Sequence, residues 1–284
     1  MKTITRFAPS PNGHLHLGHA FSAIVAADEA AARGGKSGGE LLLRIEDIDG
    51  PRSRPEFADE FRRDLEWLGL EWREVPAQST RLESYRAAAR RLEDDGLLYP
   101  CRCTRREIAA LPLRTGPDGL LYPGSCKGRC LSSGTGGAAA VRLDLDAALE
   151  RVGDLVWKTV DGDSVVADPR EFGDVVLVRK DLPASYHLAV TLDDAADGVT
   201  LVTRGADLLS ATHIHRLLQE LLGLPPPRYL HHALIMADDG ADKLSKSRGA
   251  PSLAARREAG EDGRALAQQL RRQRMIAGTG AGAH

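Results

Sequence analysis

The chain reads as an α/β fold built on a parallel sheet and interrupted by a subdomain of different texture, on three observations. An apolar strand at Ile4-Thr-Arg-Phe7 leads through a Pro- and Gly-rich turn into an Ala-rich helical segment, Leu17 to about Ala32, closed by Gly34-Gly35. The apolar run Glu40-Leu-Leu-Leu-Arg-Ile45 then completes a β-α-β unit. The second strand ends in Glu46-Asp47-Ile-Asp49, acidic groups at the carboxyl end of a strand, where open α/β sheets bind ligands. The cysteines, Cys101, Cys103, Cys126 and Cys130, all fall together in mid-chain.

The remaining elements follow in order. Ser53-Arg-Pro-Glu56 has the form of a capping box with an early proline, and Phe57, Phe61, Leu65 and Leu68 then recur at helical spacing up to Gly69. Leu82, Tyr85, Ala89 and Leu92 repeat that pattern before Gly96, so residues 1–99 form the first part of the sheet domain. Residues 100–181 carry the cysteines, a Gly/Ser/Ala-rich run at 132–140, and strand-like Val141-Arg-Leu-Asp-Leu145 and Gly173-Asp-Val-Val-Leu-Val-Arg179. They read as an inserted subdomain of short strands. Residues 182–275 return to the sheet, with Val199-Thr-Leu-Val-Thr-Arg204 as a late strand, His213 to Leu222 as a helix, and a helical segment from Ala250-Pro-Ser-Leu to Leu270. The Gly-rich residues 276–284 are expected to fray.

At 284 residues, 42% hydrophobic and 27% charged, the chain can bury the core of one large domain or two modest ones. A net charge of −2 argues against nonspecific coating of nucleic acid and leaves room for a local basic groove. No run approaches the roughly 20 apolar residues that span a bilayer, and the chain opens on a strand rather than a signal peptide, so a soluble protein away from membranes is expected, with the cytoplasm as its compartment. Clustered cysteines there point to a metal site rather than a disulfide framework.

Two motifs carry chemistry. The turn Arg6-Phe-Ala-Pro-Ser10-Pro-Asn-Gly-His-Leu-His16-Leu-Gly18-His19 suits nucleotide phosphates: prolines stiffen it, Gly18 allows close approach, and the helix beyond supplies unpaired N–H groups. His16 and His19, at i and i+3, share one helix face. Far downstream stands Lys243-Leu-Ser-Lys246-Ser247, a pentapeptide equally at home in a solvated loop.

The first motif resembles the HIGH signature of class I aminoacyl-tRNA synthetases in their glutamyl branch, whose form is close to R-F-A-P-S-P-T-G-x-L-H-x-G-H. Asn12 stands where Thr is usual. The second resembles the KMSKS loop of the same class, and Leu43–Asp49 and Gln78–Tyr85 match the branch's L-R-I-E-D-x-D and Q-S-x-R-x-x-x-Y runs. The resemblance implies a Rossmann-like catalytic domain with a parallel sheet, interrupted by a zinc-containing insertion that holds a tRNA acceptor end. It implies ATP bound at His16, Gly18, His19 and Lys246. His16, His19, Lys243 and Lys246 act catalytically on the phosphates, with Mg²⁺ brought by the nucleotide.

For the cysteines, Cys101-x-Cys103 and Tyr122-x-x-x-Cys126 resemble the metal knot of truncated paralogues of glutamyl-tRNA synthetase, which implies one structural Zn²⁺ on three thiolates and a tyrosine hydroxyl. The residues themselves leave Cys130 open as the fourth donor, and also four reduced thiols without metal.

For the substrate, resemblance assigns Arg6 and Arg204 to the carboxylates of L-glutamate, Ser10 and Tyr186 as hydroxyl partners, and Glu46 to the ammonium. Each arginine sits at an apolar run, where it needs an anion, although an ordinary ion pair would also serve. Tyr186-His-Leu-Ala-Val-Thr-Leu-Asp-Asp194 resembles the paralogues' Y-x-L-A-V-x-x-D-D run. Few residues follow the KMSKS-like loop, so no anticodon-binding domain is expected. The paralogue resemblance therefore implies activation of glutamate with ATP and its transfer to the queuosine base in the anticodon loop of tRNA(Asp), by a monomer. A minimal glutamyl-tRNA synthetase charging a 3′ end and a non-catalytic tRNA-binding module are the alternatives, the latter disfavoured by intact His16, His19, Lys243 and Lys246.

Overall fold

The computed structural model describes residues 2–110, 114–128, 139–182, 184–235 and 251–278, with side chains up to residue 274. In chain order the elements are β1 (Thr3–Phe7), α1 (Leu17–Arg33), β2 (Gly39–Leu43), α2 (Pro55–Trp67), β3 (Arg73–Glu74), α3 (Leu82–Asp94) and β4 (Leu98–Cys101). Next come α4 (Arg105–Ala109), β5 (Thr115–Gly116), β6 (Gly119–Leu120), β7 (Ala140–Leu143), α5 (Leu145–Val152), β8 (Val156–Thr159), β9 (Ser164–Val166) and β10 (Val176–Val178). The last are α6 (Tyr186–Ala196), β11 (Leu201–Gly205), α7 (Ala211–Leu222), β12 (Arg228–His232), α8 (Leu253–Glu258) and α9 (Gly263–Gly278). They fall into two compact units, one of Met1–Ser79, Val199–Leu208 and Tyr229–His284, the other of Thr80–Gly198 and Leu209–Arg228.

The first unit holds a parallel sheet in the order β1-β2-β3. β1 and β2 pair from Thr3↔Gly39 to Phe7↔Leu43, and the consecutive buried Leu41, Leu42 and Leu43 are the mark of a strand covered on both faces. Gly39 is needed where it stands: a Cβ there would fall 1.8 Å from the carbonyl oxygen of Ala30, so the chain leaves α1 and enters β2 only without a side chain. β11 is tied to the sheet at its start, where the Thr200 N–H donates to the Ile4 carbonyl at 2.9 Å. Phe21 and Ile24 of α1, Phe61 and Leu65 of α2, and Leu253 and Leu270 of the last helices close the core. α9 continues to Gly278, into the segment expected to fray.

The capping box expected at Ser53 does not form. Pro55 occupies the first helical position, which makes Arg54 the cap, and the Ser53 hydroxyl instead accepts the Asp49 N–H at 3.3 Å.

The second unit carries an antiparallel sheet in the order β10-β7-β4, with β7 and β4 paired from Leu98↔Leu143 to Cys101↔Ala140. Leu145, expected to end a strand, begins α5 instead, because Asp144 caps that helix by accepting the Ala147 N–H at 3.3 Å. In α3 the buried residues are Tyr85, Ala88 and Leu92, so Ala88 rather than Ala89 faces inward. The Tyr85 hydroxyl donates to Asp193 of α6 at 2.9 Å, joining the two helices by a buried polar contact. Among the described residues, no helix is long and apolar enough to cross a membrane.

Candidate active site

The turn after β1 ends in a cap made of two imidazoles. His16 is the N-cap of α1: its Nδ1 accepts the Gly18 N–H at 3.1 Å, while the His16 N–H donates to Nδ1 of His19 at 3.2 Å. This is the reciprocal geometry of a capping box, built from rings whose centroids lie 3.8 Å apart. Because each Nδ1 accepts, each neutral ring carries its proton on Nε2. Burial lowers the pKa of His16, and burial together with the neighbouring His16 pushes His19 down to about 3. The pair therefore presents two neutral N–H donors rather than two cations.

The candidate amino-acid side of the first unit lies on β1, β11 and the loop after β2. Arg6 is buried and donates from NH1 to the Thr203 carbonyl at 3.1 Å. The next residue, Arg204, is also buried; its Nε–H donates to Nε2 of His231 at 3.4 Å and its Cζ lies 5.5 Å over the Tyr229 ring. Glu46 is held from two sides: Arg44, fully buried, donates to its carboxylate at 3.2 Å, and its own N–H donates to the Pro9 carbonyl at 3.1 Å. Ser10 follows Pro9 in that same turn, half-buried, and the Asn12 amide donates to Asp49 at 3.3 Å. Arg6, Ser10, Glu46, Arg204, His16, Gly18 and His19 thus all belong to the first unit. Tyr186 opens α6 in the second unit, 41% exposed, its ring 5.5 Å from that of His187 and 5.6 Å from that of His215. Lys243, Lys246 and Ser247 lie outside the described residues.

Sequence reasoning did not assign Arg44 or the Tyr229–His231 pair. Arg44 was within reach, since residues two apart share a strand face and the Arg44/Glu46 spacing places opposite charges together. Nothing in Tyr229-Leu-His231 shows which cation it faces.

In the second unit, Cys101 ends β4 and Cys103 follows it. The Sγ atoms of Cys101, Cys103 and Cys126 all lie within 4.8 Å of one another. The Cys103 and Cys126 sulfurs are 3.6 Å apart, and the Tyr122 hydroxyl is 3.4 Å from Cys103. Tetrahedral zinc with Zn–S bonds near 2.3 Å requires S···S edges of about 3.8 Å and slightly shorter S···O edges, so the Cys103–Cys126 and Cys103–Tyr122 separations are compatible with a shared zinc, and the three thiols could hold one. Arg142 stacks 3.9 Å over the Tyr122 ring, a cation beside the thiol cluster. Burial tends to raise the Cys101 thiol, but hydrogen bonds from Tyr122 and Arg142 outweigh it and bring its pKa down to about 7. Cys130 lies outside the described residues.

Comparison with known proteins places the whole chain. Residues 2–278 match the family described as tRNA synthetases class I (E and Q), catalytic domain. A glutamyl-Q tRNA(Asp) synthetase of Rhodobacter capsulatus is 48% identical over 273 residues, covering 90% of this chain and 95% of that protein. A glutamate–tRNA ligase of Oleidesulfovibrio alaskensis is 38% identical over 270 residues, covering 95% of this chain and 56% of the ligase. The crystal structure of a glutamate-tRNA synthetase from Elizabethkingia anophelis has the same fold, with a TM-score of 0.74 at 23% identity over 95% of this chain and 61% of its own. The chain belongs to the class I tRNA synthetases of the E and Q type and carries their catalytic domain, the enzyme core of an aminoacyl-tRNA ligase family.

Proposed function

We propose that the protein activates L-glutamate with ATP and transfers it to the queuosine base in the anticodon loop of tRNA(Asp). The observation that carries this reading is its near co-extensive similarity to the Rhodobacter glutamyl-Q tRNA(Asp) synthetase. The geometry fits the activation step. The α-carboxylate of glutamate attacks the α-phosphorus of ATP, the bond to pyrophosphate breaks, and the mixed anhydride forms, so no protein base is required and catalysis is positioning and charge stabilisation. His16 and His19 donate from Nε2–H to phosphate oxygens while Gly18 keeps the backbone close. Arg6 and Arg204 take carboxylates, Ser10 and Tyr186 add hydroxyl partners, and Glu46, oriented by Arg44, takes the ammonium. Lys243 and Lys246 neutralise the departing pyrophosphate, whose Mg²⁺ arrives with the nucleotide.

Zinc, when bound, supplies a structural cross-link and no substrate position. Cys101, Cys103, Tyr122 and Cys126 would hold it, and Arg142 offsets the charge of the set. In the transfer step a hydroxyl of the queuosine cyclopentenediol attacks the glutamyl carbonyl, AMP leaves, and an ester remains. Activation is tested by ATP–pyrophosphate exchange without tRNA: glutamate should drive it and glutamine should not. Exchange that needs tRNA, or that runs equally with glutamine, contradicts the assignment.

A further inference from the structure

Strand β12 works on both of its faces. Tyr229 and His231, two residues apart and so on one face, present parallel rings with centroids 6.1 Å apart, and both meet the guanidinium of Arg204. His232 lies on the opposite face. Its Nδ1 donates to the Ala233 carbonyl at 3.0 Å, which leaves Nε2 to accept the Ser22 hydroxyl at 3.1 Å, and Phe21 meets its ring edge-on. Ser22 is three residues beyond His19 on α1. One short strand thus joins the arginine of the candidate glutamate site to the helix that carries the imidazole cap.

We infer that His231, backed by the Tyr229 ring, is a positioning residue for Arg204 and through it sets the preference for a carboxylate over an amide in the amino-acid side chain. The inference rests on the glutamate-activating reading. A guanidinium is planar and only donates, so fixing Nε fixes the plane and the direction of its NH1–NH2 edge. A carboxylate meets that edge with two acceptors. The amide of glutamine meets it with one acceptor and one NH₂ group, which would face donors. Discrimination holds only while the guanidinium cannot pivot to avoid that clash. His231 supplies an acceptor at Nε2, Tyr229 supplies the face of a ring, and the adjacent Thr203 carbonyl takes Arg6 NH1. The separation of the two arginines is therefore set by one stretch of β11.

The test compares the whole chain with its His231→Leu and His231→Gln variants. Leu fills the space without an acceptor; Gln restores one through Oε1. His231 is only half-buried, and unfolding midpoints are taken alongside to show that both variants fold. Exchange is measured with glutamate and with glutamine, together with the KM for ATP. His231→Leu should raise the KM for glutamate roughly tenfold, the loss expected for one charge-assisted hydrogen bond, and narrow the glutamate-to-glutamine ratio, with the KM for ATP unchanged. His231→Gln should recover most of the loss. A folded His231→Leu variant with wild-type KM and selectivity overturns the inference, as does equal impairment of the Leu and Gln variants or a parallel rise in the KM for ATP. A wild-type chain without glutamate-dependent exchange overturns the underlying reading instead.

Discussion

Gly18 lies so close to His16 that a Cβ on it would fall 3.0 Å from Cε1 and 3.1 Å from Nδ1 of the imidazole. The ring packs over the backbone it caps, and only a hydrogen at that Cα leaves the ring where it is. Gly18→Ala should therefore tilt His16 away from its cap and lower the exchange rate by about tenfold, with little effect on the KM for glutamate. A variant with full exchange activity would show that His16 tolerates the displacement.

The neutral state of His19 has a consequence for stability. Its folded pKa of about 3 lies below the ordinary 6.5, so the unfolded chain binds the proton first as pH falls. The stability it contributes is complete above pH 6.5 and is lost as pH drops from there toward 3. His19→Asn keeps an acceptor for the His16 N–H but has no proton to take up. The difference in urea midpoint between wild type and this variant should shrink steadily between pH 7 and pH 4; a constant difference would contradict the assignment.

How much of this was legible in the sequence depended on how local each cause is. The β-α-β unit and the shared face of His16 and His19 rest on neighbours in sequence, as do the pairs Cys101/Cys103 and Tyr122/Cys126, whereas the cap the two imidazoles form, which takes up N–H groups expected to be unpaired, is not legible there. The Ser53 box fails because Pro55 moves the cap by one residue, and the strand-like Val141-Arg-Leu-Asp-Leu145 ends early because the Asp144 carboxylate caps the helix that begins at Leu145. Arg142 over Tyr122, and His231 beside Arg204, depend on strand neighbours far away in sequence, which no local pattern encodes.

For the thiol cluster, one zinc per chain is expected by metal analysis. Cys126→Ser should abolish binding, Tyr122→Phe should weaken it, and Cys130→Ser should retain it. Chelation should lower the thermal midpoint of the protein before it lowers exchange measured on the folded fraction. Loss of zinc only in the Cys130 variant would give the fourth position to that thiolate.

Asp64 is fully buried on α2; its Oδ1 accepts from Arg257 at 3.1 Å, while Oδ2 has no hydrogen-bond partner among the described residues. Burial outweighs the arginine and raises its pKa to about 6. The folded value lies above the unfolded one, so stability is complete below about pH 4 and declines as pH rises to 6. Asp64→Asn should consequently stabilise the protein at pH 8, by on the order of 1 kcal/mol, and have less effect at pH 4. Urea denaturation at the two pH values measures this, and a stabilisation larger at pH 4 would reverse the assignment.

The destination of the activated glutamate is the central claim, and the isolated anticodon stem-loop of tRNA(Asp) tests it most directly. With ATP and radiolabelled glutamate, a stem-loop carrying queuosine should be labelled nearly as well as the whole tRNA, trimming the 3′ end of whole tRNA should matter little, and mild alkali should release the label as expected of an ester. Labelling that requires an intact CCA end, or that proceeds on tRNA(Glu) without queuosine, would contradict the account and identify a synthetase that charges the acceptor end.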